Sequence, residues 1–320
     1  KLNMPQSLLL LLLIIGSVAV CIRLKTGGPM IGLFFSWIII YLFCKVLKID
    51  YDHVVGGAYD AIRVVVPTLC LLMAIGVMIG TWLQSGTIAT IIAGGLKLID
   101  PTWLLPLTLV FCAVLSLVTG TSYGSVGSAG VAMMAIGNAM GINPGMVAGA
   151  VICGAMFGDK LSPLSDTTNL APAVAGAKLN DHVRSMLWTT LPTFVISLVL
   201  FTILGISQTS GGYEEGNLLV YIDALRSEFK LGLLTLLPAA VIILLLLLKV
   251  NAIVSLGLSA VCAGAVSFFY QGAALQSIIR VAYNGYSTQI EEAILKTILN
   301  RGGMSSMLQY VAIICFAVGM

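Results

Sequence analysis

Apolar residues run along this chain in blocks of about fifteen to twenty, separated by short polar patches. That rhythm predicts helices that cross a lipid bilayer. Residues 8–21, 30–44, 64–79, 103–117, 191–206, 231–248 and 252–269 approach the ~20 residues a crossing needs. A chain in lipid must pair its backbone groups within each segment, so the blocks are read as helices. Between them, residues 45–63, with Asp50, Asp52, His53 and Asp60, read as a loop and a short interfacial helix. Residues 207–230, with Glu214, Glu215, Asp223 and Glu228, read as an exposed loop, and His182 falls in a charged loop at 178–184. An amphipathic stretch at 287–300 and a last apolar run at 310–320 follow.

Composition agrees with this pattern. Of 320 residues, 59% are hydrophobic and 9% charged, against about 25% charged in a soluble domain. The fold class is therefore an all-α polytopic membrane protein. The net charge of +3 suggests no nucleic-acid partner, and no basic cluster stands out along the sequence. The seven cysteines lie singly in apolar runs, where cysteine acts as a small hydrophobe, so neither disulfides, a metal cluster nor a cofactor is expected. The block that begins at Met4 lacks a small-residue cleavage site and reads as a first membrane helix.

Residues 119–172 break the pattern. Ten of the 34 glycines lie between Gly120 and Gly158, mostly in steps of three to five residues, as close backbone packing in lipid requires. The segment from Thr119 to Asn143-Pro144 reads as a re-entrant hairpin, and Pro163 breaks the helix that leads to Gly158-Asp159. Asp159 and Asp166 then sit between segments suited to lipid, where an aspartate costs about 3 kcal/mol and calls for an ion, a proton or a countercharge. Ser162, Ser165, Thr167, Thr168 and Asn169 supply oxygens around the break, and Thr121, Ser122 and Ser125 can meet them from the hairpin. A hard cation such as Na⁺ takes ligands of this kind, with Asp166, Ser165 and Thr121 the leading ones. A carboxylate there exchanges a cation for protons. Asp166 is the first choice, with helix N-capping as its competing role; Asp159 next to Lys160 is either part of the site or half of an ion pair. Catalysis is the remote reading: Tyr59-Asp60 and Gly158-Asp159 suggest an intramembrane aspartyl protease, but Met156 replaces the glycine its second motif requires.

Residues 157–171, Phe-Gly-Asp-Lys-Leu-Ser-Pro-Leu-Ser-Asp-Thr-Thr-Asn-Leu-Ala, closely resemble the signature of the NhaC family of bacterial Na⁺/H⁺ antiporters. Residues 76–82, 119–123 and 301–304 resemble further motifs of that family in the same order. The resemblance implies a non-enzymatic secondary transporter of the bacterial cytoplasmic membrane, built from inverted repeats with re-entrant hairpins and broken helices and forming a homodimer in lipid. It implies Na⁺ and H⁺ as transported ions, Thr121 and Ser122 at the hairpin tip, and Ser165 to Asn169 at the helix break. Malate/lactate antiporters of the same family, which carry organic acids with Na⁺ and H⁺, are the alternative. The expected division is 1–63, N-terminal helices and interfacial segment; 64–207, the first repeat; 208–300, connecting loop, helices and amphipathic segment; and 301–320, the start of a second repeat, incomplete here. The faint echo of residues 74–77 in 317–320 fits that division.

Overall fold

The computed structural model of the chain describes residues 3–24, 28–162, 165, 168, 172, 176–209, 216–290, 295–296 and 299–319. Six described helices are long and apolar enough to cross a membrane: Met4–Arg23, Pro29–Leu47, Tyr51–Gln84, Pro101–Val118, Asp181–Ser207 and Ala252–Gln271. The segments Val220–Glu228 and Leu233–Leu247 meet at 87° and would make a seventh if they act as one span. No strand occurs among the described residues. The protein is a multi-pass α-helical membrane protein.

The chain forms two compact units, Lys1–Met73 with Ser305–Met320, and Ala74–Met304. In the first, α1 (Met4–Arg23) packs on α2 (Gly28–Leu47). Gly32 permits the approach, since a Cβ there would stand 2.6 Å from the Val18 Cα. The Ser17 hydroxyl bonds the Gly32 carbonyl at 3.0 Å and the Ser36 hydroxyl at 2.7 Å across the same crossing. Trp37 Nε1 donates to the Phe316 carbonyl at 3.3 Å, which ties the final helix, Met304–Val318, to α2. Much of α1 faces outward, with Leu8 59% and Leu12 58% exposed, as suits contact with lipid.

Helix α3 (Tyr51–Gln84) starts in the first unit and ends in the second. It overturns one expectation, because residues 51–63 are its opening turns and not a separate interfacial helix. Asp50 Oδ1 accepts from the Asp52 amide at 3.2 Å, so a residue read as solvated loop is a helix start signal. Pro67 inside α3 removes one donor without ending the helix, as membrane helices tolerate. His182 likewise lies within a long helix, Leu179–Thr209, and not in a loop.

The second unit holds the polar stretch. After α3 the chain turns at Gly86, whose φ of 75° suits glycine, into α4 (Thr87–Leu98). Asp100 then caps α5 (Pro101–Thr119) by accepting from the Thr102 amide at 2.8 Å. The chain reverses at Gly120 and returns through α6 (Ser122–Ser125), a π-helical turn at Val126–Gly130 and α7 (Val131–Ala139). The return is antiparallel, since Gly137 reaches Leu104 near the start of α5. Asn143 accepts from the Gly145 amide and starts α8 (Pro144–Leu161), which packs along α5. The described part of 207–230 is no exposed loop: α9 (Leu179–Thr209) is followed by α10 (Gly216–Glu228). Ile222, Leu225 and Phe229, at helical spacing, are buried there. Beyond it come α11 (Leu237–Leu247), α12 (Ala252–Val266) and α13 (Leu275–Asn284).

Two motifs far apart in sequence meet in this unit. The Gly303 amide donates to the Gly76 carbonyl at 2.7 Å. A Cβ on Gly80 would lie 2.6 Å from the Val281 carbonyl, and one on Gly302, where φ is 82°, 2.5 Å from the Gly80 amide. Three backbone segments cross where only glycine fits.

Candidate functional site

Glycine sets where the polar residues end up. A Cβ on Gly154 would sit 2.3 Å from the Leu109 carbonyl, and one on Gly158 would sit 2.2 Å from the Ala113 carbonyl and 2.6 Å from the Leu117 amide. Helices α5 and α8 therefore run side by side in the same direction with backbones almost touching. The Ser116 hydroxyl donates to the Ala155 carbonyl at 2.6 Å across this contact. Their carbonyl ends, Thr119-Gly120 and Leu161-Ser162, consequently stop at the same level.

Each end is broken for a local reason. At α5, Gly120 takes a left-handed conformation with φ of 70°, and Thr121 then caps α6, its Oγ1 accepting from the Gly124 amide at 3.2 Å. At α8, Ser162 is extended (φ −74°, ψ 123°), as the residue before a proline should be. Thr168, buried, returns its hydroxyl to the Asp159 and Lys160 carbonyls at 3.0 and 3.1 Å. A helix end leaves such carbonyls short of amide partners, and the Asp159 carbonyl also receives the Ser162 amide at 3.2 Å.

The expected site residues now have positions. Thr121 and Ser122 lie half-buried at the start of α6, and Ser125 is fully buried, donating to the Thr121 carbonyl at 3.0 Å. Asp159, 6% exposed, stands in the last turn of α8 with Ser162 buried beside it. Ser165 is buried too, its amide donating to the Ser162 carbonyl at 3.2 Å. Helix α6 packs against both α5 and α8. Thr121, Ser122, Ser125, Asp159, Ser162, Ser165 and Thr168 thus belong to one region where two helices end and one begins. Asp166, Thr167 and Asn169 lie outside the described residues.

The electrostatics favour a cation. A helix C-terminus carries roughly half a negative charge, and two such ends meet here beside the Asp159 carboxyl. Among the described residues no group of three or more His, Cys, Asp or Glu side chains gathers. A cation here would be held mainly by carbonyl and hydroxyl oxygens, which suits a hard monovalent ion. Oxygens of these kinds are ones that a cation or a proton can occupy and leave. Asp60, the other residue of the protease reading, is an exposed partner of Arg63 at 3.5 Å.

Two features escaped the sequence reading. Ser128 is buried and donates to the Gly124 carbonyl at 2.7 Å, in the π-helical turn that follows α6. Such turns recur at functional sites, and the Gly-Ser alternation from 124 to 130 was the available signal. Glu228, read as a solvated loop acid, accepts from Tyr286 Oη at 2.7 Å, from the Thr288 hydroxyl and from the Gln289 amide at 3.3 Å. It thereby anchors the non-helical segment after α13.

Burial, and then the adjacent Glu228 carboxylate, push the Tyr286 phenol above its ordinary value near 10. A raised folded-state value stabilises fully below pH 10, and this contribution is lost as the pH rises through the folded value. We expect melting temperature to fall more steeply above pH 10 in the wild type than in Tyr286→Phe. Near neutral pH that variant is less stable by about 1.5–3 kcal/mol, the worth of a hydrogen bond to a charged acceptor. Parallel curves from pH 8 to 11 would show that this pair carries no such linkage.

Comparison with known proteins identifies the family. A sequence profile of the Na⁺/H⁺ antiporter family matches residues 154–320, just over half of the chain. The chain is 36% identical over 291 residues to the Na⁺/H⁺ antiporter NhaC of Alkalihalophilus pseudofirmus, covering 91% of this chain and 63% of that protein. It is also 36% identical over 289 residues to the malate-2H⁺/Na⁺-lactate antiporter of Bacillus subtilis, covering 90% and 62%. The NhaC of Bacillus subtilis is 31% identical over 322 residues, covering 100% and 71%. The chain thus spans 62–71% of the length of these relatives. No solved structure gives a significant match. A family profile over more than half of the chain, and relatives 31–36% identical over nine tenths or more of it, lead to one conclusion: the chain belongs to the Na⁺/H⁺ antiporter family.

Proposed function

We propose that the protein exchanges Na⁺ for H⁺ across the bacterial cytoplasmic membrane, as a secondary antiporter and not an enzyme. The observation that carries the reading is the convergence of two helix carbonyl ends on Asp159, Ser162, Ser165 and the Thr121 turn. Na⁺ is coordinated by carbonyl and hydroxyl oxygens and by Asp166, with Ser165 and Thr121 among its ligands. Protons compete for the same carboxylate, and that competition couples the two flows. Inward protons gain about 2.3 kcal/mol per charge per 100 mV when more of them move than Na⁺ ions. Residues 64–207 act as one copy of an inverted repeat whose second copy begins at 301, and the working form is a homodimer.

A specific observation supports a second reading. One of the relatives is named as a malate-2H⁺/Na⁺-lactate antiporter and is as similar to this chain as a relative named for Na⁺/H⁺ exchange. In that reading an organic acid is carried, with Na⁺ and H⁺ as coupling ions. Everted vesicles containing the protein separate the two. Na⁺ alone is expected to dequench a pH-sensitive dye after respiration has acidified the lumen, whether or not malate is present. A response that waits for malate would replace the first reading with the second.

A further inference from the structure

The sequence shows no basic cluster, yet the fold makes one. Lys97 in the last turn of α4, Arg226 in the last turn of α10 and Lys230 just beyond α10 line one open cavity of about 470 Å³. Among the described residues no carboxylate lines it. Arg226 pairs, among the described residues, with Asp223 at 4.0 Å, an exposed i,i+3 pair that offsets little of the charge.

We propose that this cavity binds the phosphate of an anionic phospholipid headgroup. The first support is placement. Helices α4 and α5 meet at residues 99–100, next to Lys97, and the apolar helix α11 starts a few residues after Lys230. The cations therefore stand at the ends of apolar helices, the level at which headgroups lie.

The second support is the mixture of surfaces. Leu98, 86% exposed, follows Lys97, and Leu233, 88% exposed, follows the cavity residue Gly232. Cations beside outward leucines match a charged headgroup with acyl chains attached; a soluble anion has no use for the leucines.

The third support is rigidity. The Gln271 side chain accepts from the Lys230 amide at 3.1 Å and donates to the Lys230 and Ser85 carbonyls at 3.2 and 3.0 Å. The Lys230 ammonium gives one bond to the Tyr270 carbonyl at 3.3 Å, which leaves its remaining donors to a phosphate. Thr90, half-buried in the wall, is fixed by its hydroxyl bond to Thr235 at 2.6 Å.

The test is the affinity of the purified full chain, in neutral detergent, for phosphatidylglycerol and phosphatidylcholine, followed by native mass spectrometry and by lipid-induced change in melting temperature. Phosphatidylglycerol is expected to bind more tightly, with a preference that weakens in high salt. Each charge removed by Lys97→Gln, Arg226→Gln or Lys230→Gln should lower its affinity about fivefold, the effect of roughly 1 kcal/mol per basic residue near an anionic surface. Lys97→Arg and Lys230→Arg, which keep the charge, should keep the preference. So should Lys178→Gln with Arg184→Gln, which removes two cations elsewhere. Equal binding of the two lipids, or an undiminished preference in the charge-removing variants, overturns the proposal. Stabilisation by inorganic phosphate or malate that matches phosphatidylglycerol and vanishes in those variants assigns the cavity to a free anion and overturns the lipid assignment. A variant that combines the three substitutions should lose the preference altogether, and if it does not fold, the single variants give the answer.

Discussion

Asp166→Asn is expected to abolish Na⁺-driven proton exchange while leaving the protein inserted and folded. Asparagine keeps the size and most of the hydrogen bonding of aspartate and removes only the charge that, in the proposed exchange, a cation and a proton share. Losing one partner of a desolvated charge pair costs about 3–5 kcal/mol, at least ~10² in apparent Na⁺ affinity. Asp166 follows Ser165, whose buried amide is tied to the carbonyl at the end of α8. Asp159→Asn, at the end of α8, should weaken Na⁺ affinity by a smaller factor, because carbonyls and hydroxyls around it still hold the ion. Dye dequenching in everted vesicles measures both, with surface expression checked in parallel. Wild-type exchange in Asp166→Asn would move the shared carboxylate elsewhere, to Asp159 first.

Adding a single methyl group should do comparable damage from outside the ion's reach. Gly158→Ala places its Cβ 2.2 Å from the Ala113 carbonyl and 2.6 Å from the Leu117 amide, and both obstacles are backbone. No rotamer change relieves that, so α5 and α8 must separate by about 1 Å, at the 1–3 kcal/mol typical of overpacking. The bond from Ser116 to the Ala155 carbonyl stretches as well, for about 1 kcal/mol more. Because the two helix ends then part, exchange should fall along with thermal stability in detergent. Gly149→Ala is the control. Its Cβ meets only the Phe201 ring edge at 3.5 Å, an ordinary contact, and the change should stay within about 0.5 kcal/mol. Equal melting of the two variants would mean that the α5–α8 contact does not hold the site together.

The sequence by itself determined the class of fold and marked the stretch proposed to carry the chemistry. Lipid offers no partner for backbone polar groups, so apolar blocks of membrane length had to be helices, and most of the expected crossings are observed as such. Proline restricts the residue before it, so the end of α8 at Ser162 was legible from Pro163 alone. The motif residues around Asp159 and Asp166 were legible because a polar run between apolar ones is costly unless it serves a purpose. Boundaries were less legible where charge was taken for solvation. Asp50 turned out to start α3, and the expected loop before Lys230 became α10, because burial of Ile222 and Leu225 depends on neighbours the local pattern does not name.

Only the tertiary structure decided which distant pieces meet. The Gly76–Gly80 stretch receives Gly302 and Gly303 from over two hundred residues away, a pairing that glycine permits but spacing cannot announce. Glu228 finds Tyr286 and Thr288 only after the chain has turned through α11, α12 and α13. Lys97, Arg226 and Lys230 become one patch because α4 and α10 pack together. Local sequence encodes backbone preference and hydrophobic period, whereas a site assembled across long separations exists only once close packing has brought its parts within reach.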